Sequence, residues 1–91
     1  MITLEDVYAA RRRIAGLVRV TPTILAEPVK TPPVPEGTHL YLKLENLQIS
    51  GSFKARGAMN RFKGKSGETV KSLTTASGGN HGLAVARLAR A

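Results

Sequence analysis

Ninety-one residues allow one small domain at most, and an apolar content of 42% places the chain outside the disordered class. With no Cys, disulfides and thiolate metal sites are excluded and a cytoplasmic location fits. No apolar run approaches the roughly 20 residues of a membrane helix, and the acidic start Met1-Ile2-Thr3-Leu4-Glu5-Asp6 does not read as a secretory signal.

The net charge of +8 is unevenly placed: residues 1–45 carry six basic and five acidic side chains, and residues 46–91 carry eight and one. Such asymmetry fits a nucleic-acid surface, a phosphate-bearing small ligand, or half of a larger protein with its acidic residues elsewhere. Composition does not choose among these.

Thr3 reads as a helix N-cap, and Asp6 three residues on gives a variant capping box. Leu4, Val7, Tyr8, Ile14 and Ala15 then recur at helical spacing. Arg11, Arg12 and Arg13 read as a solvated face near the C-terminal end, where the helix dipole favours cations. Gly16 is the expected stop.

Residues 20–37 hold Pro22, Pro28, Pro32, Pro33 and Pro35, and are expected to be an irregular surface connection. From His39 to Glu45 the chain alternates: Leu40, Leu42 and Leu44 face one way, and His39, Tyr41, Lys43 and Glu45 the other, as in a half-buried strand. His39 has no companion at metal-ligand spacing, so no metal site is expected.

After a loop from Asn46 to Ser52, a second helix is expected from Phe53 to about Lys63, capped by Ser50 or Ser52. Gly57 inside it costs about 1 kcal/mol against Ala, which suggests close approach by another backbone or a ligand. Gly64 to Gly67 is a turn and Val70 to Ala76 a second strand. Ser77 to Asn80 is a tight turn, and a third helix begins near His81. Its pattern is still helical at Ala91. Helices alternating with strands predict an α/β fold with a parallel sheet, and two strands alone do not make such a sheet stable.

Two turns carry candidate chemistry. In Ser50-Gly51-Ser52-Phe53-Lys54-Ala55-Arg56-Gly57-Ala58, Lys54 sits at a helix start, where the dipole disfavours its charge; burial would disfavour it further. A neutral amine forms a Schiff base with an aldehyde, and Phe53 offers a flat apolar face. Spacing alone also allows a plain basic helix start. Ser77-Gly78-Gly79-Asn80-His81-Gly82 follows a strand and opens a helix, where open α/β sheets place ligands and a helix start favours an anion. Asn80 is either a cap or a donor to that ligand. Neither stretch is a dinucleotide fingerprint or a phosphate loop. Glu68 is the only acidic residue after Glu45, so no Ser/His/Asp constellation is available.

Taken together, Lys43-Leu44-Glu45-Asn46-Leu47-Gln48, Gly51 to Ala58 and Ser77 to Gly82 resemble the serine/threonine dehydratase group of the fold type II pyridoxal-phosphate enzymes, the tryptophan-synthase-β-like family. The resemblance extends to Leu4–Arg13 and Thr21-Pro22. It implies a partial three-layer α/β fold with parallel strands, an N-terminal portion of such an enzyme. Residues 1–52 would belong to the large domain and 53–91 would start the small one.

By the same resemblance, Lys54 would hold pyridoxal 5'-phosphate as a Schiff base and later remove the substrate α-proton. Phe53 would pack on the pyridine ring and Asn80 would donate to the cofactor's phenolic oxygen. Ser77, Asn80 and His81 would line the substrate carboxylate site. The implied reaction converts L-threonine or L-serine to a 2-oxo acid and ammonia. Related serine racemases carry a second serine where Gly78 stands, so the glycine favours dehydration over racemisation.

The family's phosphate-holding loop and the residue facing the pyridine nitrogen lie beyond the equivalent of Ala91. The isolated chain is therefore expected to lack appreciable dehydratase activity. Family members form homo-oligomers, and this chain is expected to self-associate through exposed apolar sides. A non-catalytic interaction module is an alternative. A nucleic-acid-binding module is disfavoured by the 4% aromatic content, and no membrane partner is expected.

Overall fold

The computed structural model describes residues 1–27, 29–64 and 72–90. It begins with α1, Leu4–Ile14. The expected capping box is present with Asp in the acidic position. Thr3 Oγ1 accepts from the Asp6 amide at 3.2 Å, and Asp6 Oδ2 accepts from the Thr3 amide at 2.8 Å. That backbone donor, seconded by the Thr3 hydroxyl, lowers the pKa of the Asp6 carboxyl.

Ala15 leaves the helical region and Gly16 follows at φ 78°, a left-handed turn that glycine adopts without steric cost. The arginine run divides its work. Arg12 pairs with Glu5 at 2.7 Å on the exposed face, while Arg13 Nε donates to Asn60 Oδ1 at 2.9 Å and ties α1 to the next helix. Arg13 is therefore more than solvated surface.

The proline-rich segment is not irregular throughout, which corrects the expectation for residues 20–37. Thr23–Leu25 form β1, antiparallel to β2, Tyr41–Lys43, with Ile24 opposite Leu42. Hydrogen bonds from the Ala26 amide to Leu40 O (2.8 Å) and from the Leu44 amide to Pro22 O (2.9 Å) continue the pairing at both ends. Residues 23–27 contain no proline, so their donors are intact, and an edge strand needs a ladder on one side only. Among the described residues no helix separates β1 from β2, and a parallel pair would need such a crossover.

This antiparallel pair is the only sheet among the described residues. The half-buried strand expected from His39 to Glu45 is shorter and exposed at all three residues, 41% at Leu42 against 62% at Tyr41. Glu45, expected on its outward face, opens the next 3-10 turn with its side chain 16% exposed. Of the second expected strand, 70 and 71 lie outside the described residues, and 72–76 form no strand.

Two short 3-10 turns, Glu45–Leu47 and Ile49–Gly51, lead into α2, Lys54–Lys63; α3 is Asn80–Ala89. Ala55, Ala58 and Met59, at helical spacing, form the buried face of α2. With Ile14 of α1 and Ala84 and Leu88 of α3 they make the core, ringed by Leu17, Val18, Phe62 and Val85. The alanines let the helices approach closely.

The core is small for the chain that surrounds it. Accessible surface is 7427 Å², against roughly 5,100 Å² for a folded monomer of this mass. The radius of gyration is 16.4 Å, against about 12 Å for a compact domain of this length. The apolar residues of α1 account for part of the difference, since Leu4, Val7 and Tyr8 are exposed and only Ile14 is buried. No helix among the described residues is long and apolar enough to cross a membrane.

Candidate active site

The approach to α2 is fixed by buried polar side chains. Gln48 is 2% exposed. Its Oε1 accepts from the amides of Arg19 (2.8 Å) and Ile49 (2.9 Å), and its Nε2 donates to Arg19 O at 2.9 Å. A buried amide without partners would cost stability; with all three it locks residue 19 to the 3-10 turns.

Glu45 lies beside it. Arg56 Nε and an Arg56 Nη each reach a different Glu45 oxygen at 2.8 Å, a two-point fork, and the Thr21 hydroxyl donates to the same carboxylate. The Arg56 hydrogen bonds, aided by Thr21 and opposed by burial, lower the Glu45 pKa to about 2. They raise that of Arg56. Lys43 Nζ donates to Thr21 O at 3.1 Å on the edge of this group.

Between Gln48 and α2 the backbone takes two successive left-handed residues, Ser50 at φ 64° and Gly51 at φ 84°. Glycine does this freely; serine does not. The Ser50 hydroxyl is buried with no hydrogen-bond partner among the described residues. Ser52 is buried, and its Oγ accepts weakly from the Lys54 amide at 3.4 Å. By backbone geometry the cap position is Phe53, so neither expected serine is a full N-cap.

Lys54 opens α2 and is exposed. Its Nζ stands 5.5 Å from the centroid of the Phe53 ring, a cation–π distance, and Phe53 is 60% exposed. Gly57 lies three residues on, along the same helix face. A Cβ there would meet nothing within 4 Å. The close neighbour expected at Gly57 is therefore absent among the described residues, and the space beside Lys54 is open.

In the second turn, α3 starts at Asn80 with Gly79 in the cap position and no side-chain cap bond. Asn80 is thus the first helical residue and not the cap. Ser77 Oγ accepts from the Gly79 amide at 3.3 Å. The Ser77 carbonyl lies where a Cβ on Gly82 would be, at 2.3 Å, so this turn needs the glycine. Ser77, Asn80 and His81 are exposed, and the first-turn amides of α3 have no acceptor within the helix.

Helix α3 packs against both α2 and the Ile49–Gly51 turn, which joins the elements carrying the two motifs. No hydrogen bond among the described residues links Lys54 to Ser77, Asn80 or His81. Thr21, Gln48 and the Glu45–Arg56 pair received no role in the sequence reading. The available signal was the Lys43–Gln48 motif and Arg56 inside the lysine motif.

The family described as pyridoxal-phosphate dependent enzyme matches residues 14–91. The L-threonine ammonia-lyase of Thermotoga maritima is 41% identical over 95 residues, covering 99% of this chain and 22% of its own length. A serine racemase of Dictyostelium discoideum is 40% identical over 85 residues, 92% of this chain and 25% of that protein. The catabolic L-threonine dehydratase TdcB of Staphylococcus aureus is 38% identical over 91 residues, 99% of this chain and 26% of that protein. The chain thus spans about a quarter of the length of these curated relatives. No solved structure matches it.

Proposed function

The chain belongs to the pyridoxal-phosphate dependent enzyme family, and from that premise we propose that it carries the cofactor lysine of a lyase that converts L-threonine or L-serine to a 2-oxo acid and ammonia. The observation that carries the reading is Lys54 itself: an exposed amine at a helix start, with an exposed aromatic ring beside it and open space over Gly57. A planar aldehyde-bearing ring fits that chemistry. The uncapped Asn80 side chain and the free first-turn amides of α3 suit the anionic oxygens of such a cofactor and its substrate.

In this reading Lys54 Nζ is the attachment amine and the base that takes the substrate α-proton. Phe53 presents its face to the ring. The Asn80 side-chain amide would donate to the cofactor's phenolic oxygen. Ser77, Asn80 and His81 orient the substrate carboxylate. Bound pyridoxal phosphate supplies the electron sink for the carbanion. The substrate loses its α-proton and its β-hydroxyl as water, and hydrolysis of the released enamine gives the 2-oxo acid and ammonia. The finer architecture that goes with the reading is a three-layer parallel α/β fold, divided near residues 52 and 53, in an assembly that buries the exposed apolar residues.

Racemisation is the second reading, favoured by the similarity to a serine racemase. Gly78 supplies no side chain to return a proton to the opposite face, which favours elimination. Titration with pyridoxal phosphate tests the attachment site. The cofactor's visible absorbance should change at lower concentration and to a greater extent with the natural chain than with Lys54→Ala, whose residual change comes from its other amines. Equal changes in both would contradict the proposal.

A further inference from the structure

We propose that the Glu45–Arg56 ion pair, together with Thr21, is a positioning clamp for Lys54. It fixes the start of α2 so that the lysine amine faces the open side. The inference rests on the proposed cofactor role of Lys54 for its meaning, but its geometry stands apart from that role.

Lys54 and Arg56 are two residues apart in the first turn of one helix, so they point to nearly opposite sides. Arg56 is held on its side by two 2.8 Å bonds to Glu45. Glu45 is in turn held by the Thr21 hydroxyl, and Gln48 anchors the same turn to Arg19. A fork needs one orientation of both planes, so it fixes the rotation of the first turn as well as its distance from residue 45. Rotation is the variable that decides where Lys54 points.

Beyond the packing of Ala55, the helix start has few polar ties to fix its rotation. It lacks a side-chain cap, the Ser52 contact is long at 3.4 Å, and Ser50 and Gly51 before it are both left-handed. A strained loop with an orphaned Ser50 hydroxyl relaxes unless its surroundings over-determine it. The clamp closes that loop from outside. Its side chains also lie mostly out of solvent, at 16% exposure for Glu45 and 34% for Arg56, so water screens it less than a fully exposed surface pair.

The test compares the natural chain with Arg56→Gln, Arg56→Lys and Glu45→Gln by two readouts. The first is amide hydrogen exchange, followed at Gly51, Arg56 and Gly57 and, as controls, at Ala84 and Leu88. Loss of a charge-assisted fork should raise local exchange about tenfold or more at the first group in Arg56→Gln and Glu45→Gln. The controls should not change. Arg56→Lys keeps the charge but not the fork, and should restore only part of the protection.

The second readout is the share of borohydride-fixed pyridoxal phosphate found on Lys54 relative to the other lysines. It should fall in the Gln variants, and a general packing role would not move it. Unchanged exchange at Gly51, Arg56 and Gly57, or full rescue by Lys, overturns the clamp. Increased exchange with no selective label on Lys54 in the natural chain leaves the clamp standing and removes the cofactor role instead. Increased exchange with an unchanged Lys54 share means the pair stabilises the loop without aiming the lysine, which also overturns the proposal.

Discussion

Acid should weaken the fold through Glu45, and the loss should be measurable as a difference between two proteins. In the folded chain the Glu45 pKa is lowered to about 2 by hydrogen bonds from Arg56, against an ordinary value of 4.5. A depressed carboxylate stabilises the folded state above its unfolded pKa, and that contribution disappears as pH falls through the folded pKa. The window therefore runs from about pH 5 down to about pH 2. A shift of this size corresponds to roughly 3 kcal/mol at 1.36 kcal/mol per unit. Because the Arg56 side chain is a third exposed, solvent screening reduces this to about 2 kcal/mol.

Urea unfolding followed by circular dichroism from pH 7 to pH 2 measures this in the natural chain and in Glu45→Gln. Glutamine keeps the shape and an acceptor for Thr21 but has no proton to bind. The natural chain should be about 2 kcal/mol more stable at pH 7, with the gap closing below pH 3. The Asp6 carboxyl is also depressed, but it titrates in both proteins and cancels. Parallel pH profiles for the two chains would refute the reasoning, since Glu45 would then bind its proton alike in folded and unfolded states.

Other substitutions separate space from strain. Gly82→Ala places a Cβ 2.3 Å from the Ser77 carbonyl and should lower the melting temperature, with the Ser77–Gly79 turn displaced in the amide spectrum. Gly57→Ala meets no neighbour and should raise stability by up to about 1 kcal/mol through helix propensity in thermal unfolding. If Gly57 also faces the cofactor, pyridoxal phosphate binding should weaken in the same variant. Thr3→Ala removes the hydroxyl half of the capping box, leaving the residue 3 amide on Asp6, and should cost about 1 kcal/mol, read by chemical denaturation. Sedimentation velocity should show concentration-dependent association, because Leu4, Val7 and Tyr8 stand exposed along α1.

Local patterns were readable in the sequence where the governing contacts are local. Thr3 and Asp6 announced their capping box, and Gly16 announced the stop after α1. The α2 and α3 helices followed from periodicity, with both starts within one residue, but the continued helical pattern did not foresee that α3 ends at Ala89 with Arg90 as its C-cap. The short β1 strand was hidden because prolines on both sides outweighed a five-residue run free of them. The parallel sheet expected from alternation depended on partners that local pattern does not reveal, and the described strand pair is an antiparallel one.

At the candidate site, the two glycine-rich motifs stood out by composition. The contacts that join Thr21, Glu45 and Arg56 did not, since 24 residues separate Thr21 from Glu45 and 11 separate Glu45 from Arg56. Such a pair becomes visible only once the chain has folded back on itself. The empty space at Gly57 was likewise unreadable, because a glycine in a helix signals low tolerance or high openness equally well.

The central claim is that Lys54 is the lysine that takes the cofactor. Its most direct measurement is peptide mapping after the chain has been mixed with pyridoxal phosphate and reduced with borohydride. The account predicts that the fixed label concentrates on Lys54 and that excess free phosphate-bearing aldehyde does not spread it evenly. A label distributed over the other lysines, with Lys54 unmodified, would contradict it.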